Sequence, residues 1–149
     1  MIRLGVLMAG VSLAITTFAP FVRADERNKY TIITVHQPIQ IPDRVLPPGK
    51  YVLKLLNSAS DRHIVQIFNG TGQRLIATEL AVANYREQRS GRTVLTFWET
   101  PPGTPPVLRA WFWPGDYFGQ EFVYPEALAA QIAKTSHQTV PTIEARQRR

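Results

Sequence analysis

From Tyr30 onward, apolar residues recur at every second position in runs of six to eight residues, each cut off by proline, glycine or a polar cluster. This is the feature that most restricts the fold. Alternation with period two puts one side of an extended strand on a core and the other in water, and turn signals at short intervals imply several short strands in a sandwich or barrel. YTIITVH (Tyr30 to His36) reads as the first strand. Four prolines in QPIQIPDRVLPPGK remove ladder donors, making this stretch an edge or connecting segment. In KYVLKLL, Tyr51, Leu53 and Leu55 are expected to face the core, with Lys50 and Lys54 facing water. HIVQIFN and QRLIATEL flank Asn69-Gly70-Thr71-Gly72, which predicts a β-hairpin. AVANYREQRSGR reads as a longer connection with an extended part near Val82 to Tyr85. Further strands are expected over Thr93 to Glu99, Val107 to Trp113 and Gly119 to Tyr124.

The period then changes. PEALAAQIAKTS (Pro125 to Ser136) predicts a short helix with Pro125 in its first position and Leu128 and Ile132 docked on the sheet. The expected fold is therefore all-β: an antiparallel β-sandwich of about seven or eight short strands with one short C-terminal helix.

The first 24 residues are of another kind. Arg3 is followed by the uncharged stretch Leu4 to Phe18, then Pro20, and Val22-Arg23-Ala24 places small or short residues at a cleavage site. These are the parts of a secretory signal. The apolar stretch, about 15 residues, is shorter than the roughly 20 that span a bilayer. The expected organisation is a signal peptide over 1–24, a β domain over 25–136 and a disordered basic tail over 137–149. The expected location is periplasmic or secreted, with no membrane span once the signal is removed.

Charge and sulfur narrow the function classes. The net charge is +6 and the pI about 10.1, but the excess lies at the two ends. Between Asp25 and Ala133 there are 11 basic and 10 acidic residues, with no basic stripe of the kind a nucleic-acid binder carries. Arg86, Arg89 and Arg92 form the one local cluster, read as solvated loop charge. The chain has no cysteine, which excludes a disulfide framework, a Cys-based zinc site, a thiol nucleophile and a lipoprotein anchor.

Two stretches carry a family resemblance: LPPGKYVLKLLNSASDRHIVQIFN (Leu46 to Asn69) and AWFWPGDYFGQEFVYP (Ala110 to Pro125). Together they resemble a group of small exported proteins from soil bacteria, including acidobacteria. In that group an LPxGxY opening precedes a strand and a WFxPGxxxGxEFxYP segment closes the domain. The resemblance spans about Tyr30 to about Ile132. It implies export and a β-sandwich, and it supplies no catalytic residue, because the group has no assigned activity.

Searching the residues for chemistry yields little. His36, His63 and His137 lack metal-ligand spacing. Ser58, Ser60, Asp61 and His63 share one loop, but catalytic triads are assembled from distant segments. Glu99, Asp116 and Glu121 are poorly matched to a glycosidase pair, and Asp116 suits turn capping. No catalytic residue, metal or cofactor is expected. The aromatic residues stand out instead. Trp98, Trp111 and Trp113 fall on one side of their strands with Arg109 if Leu95, Phe97 and Phe112 face the core. That side would pack under the helix, the proline loop or a partner, or stack a sugar. Trp113-Pro114-Gly115-Asp116 reads as a type II turn, with Tyr117 and Phe118 at its tip. The expected function is a non-enzymatic exported domain that binds an envelope protein or has a structural role in the envelope. The alternative is a carbohydrate or small-ligand module using Trp98, Arg109, Trp111, Trp113 and Tyr117.

Overall fold

The computed structural model describes residues 29–56 and 63–143. The leader, Ser58, Ser60 and Asp61, and the last six residues lie outside the described residues. The chain is all-β with one C-terminal helix, as expected. Seven strands of five residues or more carry the fold: β1 (Tyr30–Val35), β4 (Gly49–Leu55), β5 (Ile64–Asn69), β6 (Leu75–Tyr85), β7 (Val94–Trp98), β8 (Val107–Phe112) and β9 (Phe118–Phe122). Four two-residue strands complete it: β2 (Ile39–Gln40), β3 (Val45–Leu46), β10 (Tyr124–Pro125) and β11 (Thr142–Ile143). The helix α1 spans Glu126–Ser136. No described helix is long and apolar enough to cross a membrane.

Nine strands form one sheet in the order β1-β4-β5-β6-β9-β8-β2-β3, with β7 on β8. Its long ladders are antiparallel, whereas β2 meets β8 in parallel. The extended part expected near Val82 to Tyr85 is not a piece of a connection but the end of β6, paired with β9. Residues 75–80 of that strand pair with β5, and residues 81–85 pair with β9. One 11-residue strand thus serves two sheet halves. The halves close on each other: Trp111 Nε1 on β8 donates to Thr31 Oγ1 on β1 at 3.3 Å, although these strands are not neighbours in the sheet. The core between them draws on both halves, including Ile33, Leu53, Val65 and Ile67 from one and Leu108, Trp111 and Phe122 from the other. Burying a large apolar side chain in this way stabilises by about 1.5–3 kcal/mol.

Alternation holds in β1, where Thr31, Ile33 and Val35 are buried; in β4 Tyr51, Leu53 and Leu55 are buried as expected, and Val52 between them is buried as well. The β5–β6 hairpin forms, but its loop is longer than a two-residue Asn-Gly turn. Asn69 N–H donates to the Arg74 carbonyl, and the Asn69 side-chain oxygen accepts from Thr71 Oγ1 and from the Gln73 and Arg74 amides. Asn69 therefore organises the loop through its side chain, as an Asx residue does.

At the C-terminus, Ala129 and Ile132 are buried and Leu128 packs against the core. Pro125, expected as the first helical residue, instead occupies the N-cap position one residue before α1 begins and makes no side-chain capping hydrogen bond. Order continues past Ser136, in contrast to the expected tail. Val140 is buried in the core, and β11 pairs with β10. Tyr124 accounts for part of this. Its backbone amide donates to the Pro141 carbonyl, and its buried hydroxyl donates to the Leu108 carbonyl at 2.6 Å.

Candidate functional site

The five residues singled out from the sequence do not share a face. Thr96 pairs with Ala110 but Phe97 pairs with Leu108, leaving Arg109 as an extra residue in β8. Such a β-bulge shifts the alternation of the bulged strand by one. Leu95 pairs with Trp111 and Phe97 with Leu108, so Trp111 and Leu108 fall on the core side. Trp98 pairs with Val107 and lies on the opposite side, where Val107 lines a groove with Leu128 and Ile132 of α1. The expectation that Phe97 faces the core and that the three tryptophans lie together on the side away from it is thereby corrected, whereas Leu95 packs against the core and Phe112 is buried. Phe97 is 41% exposed, and Trp98, Trp111 and Trp113 are all buried.

Each ring has a defined setting. Trp111 meets Trp113 edge-on at 5.3 Å, and Trp113 meets Phe118 at 5.5 Å, separations favourable for aromatic pairs. Trp113 Nε1 donates to Asp116 Oδ2 at 3.1 Å. Trp98 Nε1 is buried without a hydrogen-bond partner among the described residues, and the Arg109 guanidinium lies 4.1 Å from the Trp98 ring centre. Arg109 also pairs with Glu121 at 3.2 Å and donates to Gln138 at 2.9 Å. Cation–π and ion-pair contacts thus hold this side chain across the sheet surface.

The carboxylates are dispersed. Asp116 closes its turn: it accepts from Trp113 and from the Phe118 amide, and lies 3.6 Å from Lys29 Nζ. Burial works against its ionisation, but these hydrogen bonds and the Lys29 charge outweigh burial and hold its pKa below the ordinary aspartate value. Gly115 takes a φ of 81°, as the third position of a type II turn requires. Glu121 accepts from Asn84 at 2.7 Å as well as from Arg109. Glu99 is exposed at the rim of the groove beside α1, a cavity of about 240 Å³. His63 Nδ1 lies 3.2 Å from Gln120 Oε1, and His137 occupies the left-handed C-cap of α1. Among the described residues, no three His, Asp or Glu side chains could hold a metal ion together.

Glu79, which an enzyme reading would place in a cleft with His63, is a buried carboxyl on β6. It is 4% exposed and accepts a hydrogen bond from the Asp43 amide at 3.3 Å. Burial, aided by the Asp43 charge, pushes its pKa up to about 7. The signal was present in the alternation, since Ala77, Glu79 and Ala81 are the inward positions of β6.

Exposed aromatic rings gather at one end of the molecule, where the loop after β6 meets the turn before β9. The Arg86 amide donates to the Tyr117 carbonyl at 2.9 Å, and the Gly115 amide donates to the Ser90 carbonyl at 2.8 Å. Tyr85, 71% exposed, meets Phe118 edge-on at 5.5 Å. Tyr117, 42% exposed, has the Arg89 guanidinium 4.5 Å from its ring centre. Arg86 is placed similarly over Phe112 at 5.2 Å. Two of the three clustered arginines are thus stacked on rings, where loose solvated charge was expected. Comparison with protein-family models, curated proteins and solved structures gives no match.

Proposed function

We propose that this chain is an exported, non-enzymatic binding domain of a bacterial envelope or periplasm, and that its contact surface is the tyrosine–arginine end. The observation that carries the reading is the pair Tyr85 and Tyr117. Both rings are exposed, yet both belong to segments tied together by backbone hydrogen bonds. Exposed tyrosines flanked by arginines are the side chains most often found at the energetic centre of an interface. The leader composition supports export. The engagement of Asp116, Glu121 and Arg109 in structural contacts supports a binding rather than a catalytic role.

Carbohydrate or small-ligand binding is the second reading, and it rests on the same rings. With Trp98, Trp111 and Trp113 buried, Tyr85 and Tyr117 are exposed aromatic rings at this end that a sugar could stack on. Arg89, beside Tyr117, would supply donors to hydroxyl groups. The test is retention of the purified chain on immobilised envelope fractions and on a glycan panel, compared with a Tyr85→Ala/Tyr117→Ala variant. The expected result is at least tenfold weaker retention at unchanged melting temperature. Equal retention by the variant rules out this surface. In parallel, mass spectrometry of the exported form is expected to show a chain starting at Asp25, and a chain starting at Met1 overturns export.

A further inference from the structure

A second concavity, built from residues other than those of the tyrosine–arginine end, lies between β3, the start of β4 and the β5–β6 loop. Its volume is about 490 Å³, within the range of small-molecule sites. Val45 and Leu75 are exposed apolar side chains on its walls, and Leu46 and Tyr51 reach it from the core. Three cations line it: Arg44, Lys50 and Arg74. Arg44 is already paired with Asp43 through two contacts of 2.8 and 2.9 Å. Among the described residues, Lys50 and Arg74 form no ion pair.

The groove is preformed. The Tyr51 hydroxyl donates to the Pro47 carbonyl at 2.6 Å, bracing the Pro47-Pro48-Gly49 turn. On the other wall, the Asn69 side chain accepts from the Arg74 amide at 3.0 Å, and the Asn69 amide donates to the Arg74 carbonyl at 3.0 Å. Two uncompensated cations beside an apolar surface set out two demands on a ligand: an anionic group for Lys50 and Arg74, and a hydrocarbon body for Val45 and Leu75. The hydrogen-bonded backbone of these walls forfeits little ordering entropy on binding.

We infer that this groove binds a small amphiphilic anion, with a carboxylate or phosphate monoester at Lys50 and Arg74 and a short apolar chain along Val45 and Leu75. Nucleic acid does not suit it, because its positive charge is confined to one pocket and forms no track along a backbone.

The test is calorimetric titration of the protein with octyl phosphate and octanoate, using inorganic phosphate and 1-octanol as half-ligands, with amide chemical shifts locating the site. One-to-one saturable binding of at least one amphiphile is expected, with shifts at Val45, Lys50 and Leu75. Each half-ligand is expected to bind at least tenfold more weakly. A Lys50→Gln/Arg74→Gln variant is expected to lose at least tenfold in affinity, and Lys50→Arg to retain it. The inference is overturned if neither amphiphile saturates, if inorganic phosphate or 1-octanol binds as well, or if the double variant binds unchanged. None of these outcomes bears on the tyrosine–arginine end, whose test uses different residues.

Discussion

Phe112 fills the space above Gly119, its cross-strand partner. A Cβ built at position 119 would lie 2.6 Å from the Trp111 carbonyl oxygen and overlap the Phe112 ring. The glycine in the closing segment of the chain is thus a packing residue: it lets an aromatic ring lie against the neighbouring backbone. Other positions of that segment have comparable reasons. Asp116 holds the Trp113 indole, Glu121 holds Arg109, and the Tyr124 hydroxyl bonds the Leu108 carbonyl. These positions are therefore accounted for by packing and hydrogen bonding, whereas Tyr117 in the same segment is exposed.

Gly119→Ala is expected to destabilise the fold by about 1–3 kcal/mol, the usual cost of overpacking. Chemical denaturation measures it. Adding Phe112→Leu should recover part of the loss by vacating the ring's position. A single variant as stable as the parent contradicts the packing argument.

Thr31→Val keeps the shape of a buried residue and removes the acceptor of the Trp111 indole N–H. A buried donor left unpaired costs about 1–3 kcal/mol. Urea titration should show a lower midpoint with an unchanged slope, because the core remains closed. A midpoint at the parent value shows that this bond across the two sheet halves contributes nothing.

Glu79 predicts a pH dependence with a definite sign. Its pKa is about 7 in the folded chain, against an ordinary value of 4.5. Between those values the folded state holds the proton that the unfolded state has released. Stability from this group is therefore present below about pH 4.5, falls as pH rises, and levels off above pH 7. Glu79→Gln cannot ionise. Relative to the parent it should gain on the order of 1–3 kcal/mol at pH 8 and nothing near pH 4. Denaturation of both proteins at the two pH values gives the difference directly, and a gap that does not widen with pH rejects the assignment.

Much of this fold was legible in the chain. Alternation in β4 predicted that Tyr51, Leu53 and Leu55 are buried, the Asn69 turn announced a hairpin, and the change of period at Pro125 announced the helix. Glu79 sat in plain view on an inward position. What misled the reading was the stretch from Val94 to Trp113. A period-two count assumes that every residue advances the pleat, and one extra residue in a strand leaves no mark on composition or spacing. Arg109 is that residue. It separates Trp98 from Trp111 and turns a supposed aromatic face into two packed layers. The run from Val82 to Tyr85 misled for a related reason, since one strand can pair on opposite edges with different partners along its length.

The amino-acid sequence by itself determined the fold class, the hairpin and the helix, because these follow from local periodicity and turn chemistry. Tertiary structure alone decided which aromatic rings reach the surface. Exposure depends on bulges, on strand order and on what closes over a sheet, all of which are set by contacts between residues far apart in the chain. Trp111 is buried because Thr31, 80 residues away, lies across from it. Tyr85 is exposed at the end of β6, on the last rung of its ladder with β9, where it faces Phe118.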